Sequence, residues 1–312
     1  MNGKKRVIYG LGKAYKEVQS QLDSLPGELY YCDRDEAKVC GREHGLTLSY
    51  LQEHLSDYDE IIITFGEILK VGDAMQQIGA CPRQYRLRTQ VLEENEPTTI
   101  HYHGEEGIDA VVELALQGIG MQPGQIRYIE IGTNDPVNGN NSYRFYQLGA
   151  RGILVDPLPQ SEIAAMAIRP RDFFRRAAVV AERQAPEVEF YVNTDIASGI
   201  SSIYADHYKT WGGNAPQKIT VPAVAIGELL DEAGFVPDVL FIDAEGEDEN
   251  LLHALPLDRH PIPLICAEVC DLSFERYRDV VEYMGNQGYS LYMTTPRRVN
   301  SIFLHDDMKL KE

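Results

Sequence analysis

Four acidic residues stand at or near the ends of short apolar runs in the second part of the chain. Glu130 lies in Arg127-Tyr-Ile-Glu-Ile131, Asp156 follows Gly152-Ile-Leu-Val155, Asp243 ends Asp238–Asp243, and Glu268 follows Pro263–Ala267. If each run is a parallel strand, the carboxylates line the crevice outside the carboxyl ends of an open α/β sheet, where such sheets bind ligands. Gly132 follows the first run and lets a ligand approach the backbone closely. Asp156 lies 24 residues beyond it, near the spacing of about 20 for the acid that accepts ribose hydroxyls in a nucleotide-binding unit. The turn Glu130-Ile-Gly-Thr-Asn-Asp-Pro136 lacks the G-x-G-x-x-G spacing and contains a proline. It is therefore a poor pyrophosphate cradle, which needs several open backbone N–H groups. Glu130 and Asp135 would repel a phosphate and suit a cation. A nucleoside with a cationic group and no phosphate is S-adenosylmethionine. The competing reading, that each carboxylate only caps the helix after it, serves for one residue better than for four.

The elements that must hold these residues follow from periodicity. The second unit starts near Ile100, with a helix over Ile108–Leu116, the strand 127–131, a helix over Ser142–Gly149 and the strand 152–155. Residues 160–184 predict one long helix, and Val188–Val192 the third strand of the sheet. Asp238–Ile242 and Pro263–Ala267 are the fourth and fifth, with helices around Leu251–Leu255 and Phe274–Met284. The short connection between Tyr289–Met293 and Val299–Leu304 suits an antiparallel pair closing the sheet. Before this, about 80 residues read as a smaller α/β unit: strands Arg6–Tyr9, Glu28–Cys32 and Asp59–Thr64, with helices after Lys13, around Leu48–Leu55 and over Ile68–Ile78. Such alternation implies a parallel sheet with right-handed crossovers. Residues 82–100, rich in Arg and Glu, predict a linker, hence domains 1–97 and 98–312.

The 312 residues carry 48 Asp+Glu against 29 Lys+Arg, a formal charge of −19. That disfavours a general nucleic-acid binder, which needs a basic footprint, and docking on an anionic membrane. The charge is uneven: residues 1–100 sum to −4 and the remainder to −15. The apolar run after Lys4-Lys-Arg6 is too short for a signal peptide. Five scattered cysteines (Cys32, Cys40, Cys81, Cys266, Cys270) read as reduced thiols and a cytoplasmic protein.

The stretches Tyr128–Tyr143 and Leu148–Pro157 resemble the cofactor-binding segment of FkbM-type methyltransferases. So do Val221-Pro-Ala-Val-Ala-Ile-Gly-Glu-Leu-Leu230, Pro237-Asp-Val-Leu-Phe-Ile-Asp-Ala-Glu-Gly246 and Pro263–Glu268. The resemblance spans about residues 125–270. It implies a class I methyltransferase domain, a doubly wound sheet that the antiparallel last pair read above would close; the unit before it reads as a small Rossmann-like α/β domain. The resemblance also implies S-adenosylmethionine as cofactor and O-methylation of a sugar or natural-product hydroxyl. On this basis Glu130, Gly132, Thr133, Asn134 and Asp135 line the methionine end, with Ser142 also at the cofactor. Asp156 holds the ribose, Asp195 lies near the adenine, and Asp243 and Glu245 lie near the transferred methyl. Pro136 departs from the glycine that many methyltransferases have there.

Methyl transfer is an in-line displacement, so the site orients the reactants and removes a proton. Asp243 or Glu245 is the expected base, working directly or through a histidine, with His207, His101 and His103 as candidates. Asp243 and Glu268 could hold Mg²⁺ through oxygen ligands, although no metal is assigned. Glu247, Asp248 and Glu249 read as acids complementing a helix dipole. Residues 198–220, with Trp211-Gly-Gly213, form an insertion long enough to shape substrate selection. In the first unit, Gly10-Leu-Gly-Lys13 follows a strand and Asp33 ends the next. That unit reads as a nucleotide-sugar carrier, or as a scaffold or homodimerisation module. Two other functions remain open: an oxidoreductase using NAD at Gly10–Gly12, and a binding protein of methyltransferase fold without turnover. The expected partner is a small-molecule or carbohydrate acceptor, free or nucleotide-linked.

Overall fold

A computed structural model describes residues 3–79, 84–94, 99–194, 198–211, 214–270, 272–297 and 299–308. The chain divides into two compact units, Met1–His101 with Pro159–Pro170, and Tyr102–Leu158 with Arg171–Glu312. The chain begins with β1 (Lys5–Tyr9), α1 (Lys13–Leu22), β2 (Glu28–Cys32), β3 (Gly45–Leu46), α2 (Leu48–Glu53), β4 (Glu60–Ile63), α3 (Ile68–Ile78), β5 (Tyr85–Leu87) and α4 (Arg88–Glu94). It continues with α5 (Ile108–Gly118), β6 (Arg127–Ile131), α6 (Tyr143–Leu148), β7 (Arg151–Val155) and α7 (Pro159–Ile168). Next come β8 (Phe173–Arg175), β9 (Ala178–Val180), β10 (Glu187–Val192), α8 (Tyr208–Trp211), β11 (Gln217–Ala225) and α9 (Ile226–Glu232). The last elements are β12 (Val239–Ile242), α10 (Asp248–Ala254), β13 (Leu264–Glu268), α11 (Phe274–Asn286), β14 (Tyr289–Thr294) and β15 (Asn300–His305).

The first unit is a parallel five-stranded sheet in the order β3-β2-β1-β4-β5. Its inner strand β4, between β1 and β5, is buried at every position, as expected for a strand covered on both faces. Residues 82–100 are not a linker where they are described. Tyr85 and Leu87 alternate inward on β5, Val91 is buried on α4, and the Tyr85 hydroxyl donates to the Met75 carbonyl at 2.9 Å. The intervening arginines gave the segment a polar composition, but they serve this fold: Arg86 pairs with Glu60 and Glu94, and Arg88 donates to the Ala14 carbonyl at 2.6 Å. The 97/98 boundary falls outside the described residues. Helix α7 packs on α3, where Gly72 leaves room for the Gln160 backbone; a Cβ on Gly72 would lie 2.6 Å from the Gln160 Cα.

The second unit is a seven-stranded sheet in the order β14-β15-β13-β12-β6-β7-β8, with β15 antiparallel to both neighbours and the other pairs parallel. The sheet is thus wound both ways from β6, with an antiparallel last strand. Its core joins Ile129, Ile131, Leu240, Ile242 and Ile265 from the sheet to Leu229, Leu252 and Met284 from the helices. Two sequence expectations are corrected. The helix read over 160–184 ends at Ile168; Pro170 stands just beyond it, and Phe173–Arg175 forms β8 beside β7, with Ile153 opposite Phe173. A residue preceding proline disfavours the helical region, and aromatic and β-branched residues favour strands. The third strand of the sheet is therefore β8. Val188–Val192 belongs to β10, in a separate three-stranded sheet ordered β10-β11-β9. No helix among the described residues is long and apolar enough to cross a membrane.

Candidate active site

The loops at the carboxyl ends of β6, β7 and β12 enclose a cavity of about 380 Å³, within the roughly 300–1,000 Å³ of small-molecule sites. Gly132, Thr133 and Asn134 line it from the loop after β6, Asp156 from the end of β7, and Asp243 and Glu245 from the loop after β12. Gly132 has φ +80°, and a Cβ there would collide with the carbonyl oxygen of Asp243. Only glycine allows the two loops to approach in this way. Asn134 and Glu245 adopt positive φ of 44° and 49°, a conformation that non-glycine residues hold only where their surroundings enforce it. For Asn134 that enforcement is visible: its N–H donates to Asp156 Oδ2 at 2.9 Å, while Oδ1 accepts from Leu158 N at 2.8 Å. Two of the roughly four lone-pair sites of this carboxylate are spent in placing it at the cavity wall.

Three residues expected at the cofactor do not line the cavity. Glu130 is buried and takes four donors: Oε1 accepts from Asn141 N (3.0 Å) and Ser142 N (3.3 Å), and Oε2 from Asn140 Nδ2 (3.0 Å) and Ser142 Oγ (2.7 Å). Ser142 is thereby committed to Glu130. Asp135 accepts from Val137 N (2.8 Å), Asn138 N (2.9 Å) and Asn138 Nδ2 (3.0 Å), forming an Asx-type turn. All three build the loop that carries the cavity-lining residues. Asp195 and Gly212–Gly213 lie outside the described residues. One residue missed in the sequence is Asn141, whose buried Oδ1 borders the cavity without a hydrogen-bond partner. A buried orphan acceptor is costly unless something fills it, and a ligand ammonium group would. The run Asn138-Gly-Asn-Asn141 was the available signal.

A second cavity of about 590 Å³ opens beside these loops, lined by Tyr204, His207, Asp248, Glu268, Cys270 and Arg276 among others. His207, buried in the segment after β10, holds its Nε2 at 2.8 Å from Glu245 Oε2. The segment is tied down at two further points: Ser202 Oγ donates to the Glu245 carbonyl at 2.7 Å, and the Tyr204 hydroxyl donates to Glu247. The Tyr204 hydroxyl is pushed up to about 12, by burial first and by the Glu247 carboxylate second. Glu247 and Asp248 do more than complement a dipole. Glu247 accepts from Ala181 N at 3.1 Å, and Asp248 accepts from Ala244 N (2.7 Å) and Gly246 N (3.0 Å), clamping the loop after β12. Glu249 pairs with exposed Arg276.

Carboxylate oxygens of Asp243, Asp248 and Glu268 lie within 4.8 Å of one another. Burial, then the charges of Glu268 and Asp248, holds the Asp243 carboxyl well above the usual range. Glu268 is pushed up to about 8 by burial and by Glu245 and Asp248. Like charges this close do not all ionise in a desolvated site, so Asp243 and Glu268 share protons at neutral pH, or the three acids share a divalent cation. Of the other candidate histidines, His101 lies in the first unit, and neither it nor His103 lines these cavities. His103 packs edge-on against Tyr143, with ring centroids 4.7 Å apart.

The model of the FkbM methyltransferase domain matches residues 130–291, just over half the chain. The protein belongs to the FkbM methyltransferase family. The match begins at Glu130 and takes in every loop described above, and the cofactor is S-adenosylmethionine. No curated protein matches the chain. Among solved structures, it is similar to the 1,6-didemethyltoxoflavin-N1-methyltransferase of Burkholderia thailandensis, solved with S-adenosylhomocysteine and 1,6-didemethyltoxoflavin bound. Identity is 10% over 63% of this chain and 74% of that one, with a TM-score of 0.33. It is also similar to a TehB-like SAM-dependent methyltransferase from Corynebacterium glutamicum, at 10% identity, 64% and 98% coverage and a TM-score of 0.30.

Proposed function

We propose that this family member transfers the methyl group of S-adenosylmethionine to a hydroxyl of a small sugar or natural product, free or nucleotide-linked. The observation that carries this reading is the contact between the two cavities. Glu245 lines the first and its partner His207 lines the second. In the first cavity, Asp156 receives the ribose and Asn141 Oδ1 the ammonium of the methionine end, while Gly132 lets the backbone close on the ligand. The sulfonium supplies the electrophilic methyl. Its positive charge is lost in the transition state, so the acids around it serve binding more than rate. The acceptor occupies the second cavity, whose acidic lining suits a neutral, hydroxyl-rich molecule.

The proton must leave the hydroxyl as the C–O bond forms. With Nε2–H donated to Glu245, the basic nitrogen of neutral His207 is Nδ1, and the carboxylate stabilises the imidazolium that results. Asp243, tied up with Glu268 and Asp248 in sharing protons or a cation, serves instead to shape the loop and limit the negative charge between the cavities. A cytoplasmic location accords with Cys32, Cys40 and Cys266, which stand as thiols.

The test is S-adenosylhomocysteine calorimetry together with methyl-transfer assays on a panel of sugars and nucleotide-sugars. His207→Asn is expected to lower kcat by about 10²–10⁴ and leave S-adenosylhomocysteine affinity within about threefold. Retained turnover in that variant would remove the assigned base. Absence of S-adenosylhomocysteine binding in the wild type would remove the whole reading.

A further inference from the structure

We infer that the first unit carries a binding site for a phosphate-bearing ligand, formed by Lys13, Lys16, Lys38 and Arg42. These four cations line a cavity of about 660 Å³ beside the turn after β1, with Glu17 the one acid in its wall. In a chain of charge −19, such a concentration of positive side chains around a concavity stands against the general field.

Lys38 and Arg42 are held in place. Lys38 Nζ lies 3.1 Å from Asp33 Oδ1, and Arg42 stacks over the Tyr31 ring at 3.8 Å while it hydrogen-bonds to the Tyr15 hydroxyl and approaches Asp23 at 3.7 Å. Lys13 and Lys16 are exposed. They stand three apart on α1, so their like charges are neighbours. They also occupy the end of the helix where cations are disfavoured, and that first turn has no acidic residue. Glu17, four residues after Lys13, is the acid nearest them in sequence and also approaches Arg88 at 3.9 Å; an anion seated between the lysines and the fixed Lys38–Arg42 wall would reward the placement of both.

The cavity also selects against an NAD-like mode. Asp33, the strand-end acid that a dinucleotide would need for its ribose, already accepts from Leu11 N at 2.6 Å, from Asp35 N at 2.8 Å and from Lys38. Leu11, between the two glycines, has its N–H committed to that carboxylate. The ligand is therefore recognised through its phosphate rather than its ribose, and Lys and Arg side chains are the groups that read phosphate.

The test uses the full chain with inorganic pyrophosphate, UDP and NAD as probes, titrated by calorimetry. Pyrophosphate or UDP is expected to bind in the wild type and to bind at least tenfold more weakly to Lys13→Glu/Lys16→Glu. The charge-preserving Lys13→Arg/Lys16→Arg variant should stay within about threefold of the wild type. Tighter binding of UDP than of pyrophosphate would identify a nucleotide as the source of the phosphate; equal binding would identify the phosphate alone. Circular dichroism verifies that each variant is folded, and Lys13→Ala replaces the double variant if it is not. Failure of all three probes to bind would overturn the inference, as would binding that the glutamate variant leaves unchanged. NAD binding in preference to pyrophosphate and UDP would overturn it too.

Discussion

Replacing Glu130 with glutamine separates two tasks that a strand-end acid can have. If Glu130 holds the cofactor's cation, Glu130→Gln weakens cofactor binding and leaves the ligand-free protein almost as stable as before. If it holds the loop, the ligand-free protein itself must suffer. Four donors face the side chain. Glutamine would turn its amide toward the Oε2 side, because the two backbone N–H groups on Oε1 cannot rotate. The Ser142 hydroxyl can turn to accept. Asn140 cannot flip freely, since its Nδ2 also donates to the Asp135 carbonyl at 3.1 Å. One buried donor is then stranded, at about 1–3 kcal/mol, and each of the three remaining bonds loses the roughly 1 kcal/mol that an ionised partner adds, about 4–6 kcal/mol in all. Relief of the buried charge offsets part of this, leaving a net loss of about 2–4 kcal/mol. At about 2–4 °C per kcal/mol for a domain of 150–250 residues, the melting temperature should fall by roughly 4–16 °C without ligand. The assay is thermal unfolding of wild type and variant, with and without S-adenosylhomocysteine. An unchanged ligand-free melting temperature with a large loss of S-adenosylhomocysteine affinity would refute the loop-holding account and restore Glu130 as a cofactor contact.

Three further outcomes follow from the same geometry. Gly132→Ala forces a Cβ at φ +80° into the Asp243 carbonyl; the left-handed conformation alone costs about 1–2 kcal/mol, and S-adenosylhomocysteine calorimetry should show at least a tenfold loss. Asp156→Ala removes the acceptor of Asn134 N as well as the proposed ribose contact, so both the melting temperature and S-adenosylhomocysteine affinity should fall; unchanged affinity would exclude the ribose role. The folded-state pKa of Glu268 is raised from 4.5 to about 8, so the folded protein binds more protons than the unfolded one between those values. Stability in EDTA should therefore be full below about pH 4.5 and decline toward pH 8. Glu268→Gln should flatten that slope in urea unfolding, and Mg²⁺ should abolish it if the three acids bind the ion.

The sheet was legible because its central strands are apolar throughout: Val239–Ile242 and Leu264–Ala267 are buried at every position, and a run of that kind admits few other readings. The edges were not. Residues 82–100 hid β5 and α4 because edge elements need only alternate residues buried, and the outward arginines dominated the composition. Strand β8 was hidden because three residues carry too short a period to compete with the helical pattern leading into it. At the site, Gly132, Asp156 and Asp243 stood out by position at strand ends, where topology places residues in the crevice, and Asn134 and Glu245 by the family resemblance; all five line the first cavity. Glu130 shows where that argument stops. Its position at the strand end is as favourable as that of Asp156, and both residues are buried acceptors. What separates them is the loop that returns over Glu130 and fills it with donors, against the shorter connection after Asp156 that leaves the carboxylate at the cavity wall. That difference lies in the path of the chain between residues 132 and 142, where Asp135, Asn138 and Asn140 satisfy one another. Residue spacing carries little of it, because each of those polar groups could equally have faced a ligand. The same holds for His207 and Glu245, 38 positions apart: each was a candidate by type, and only the folding of the segment after β10 onto the loop after β12 makes them a pair.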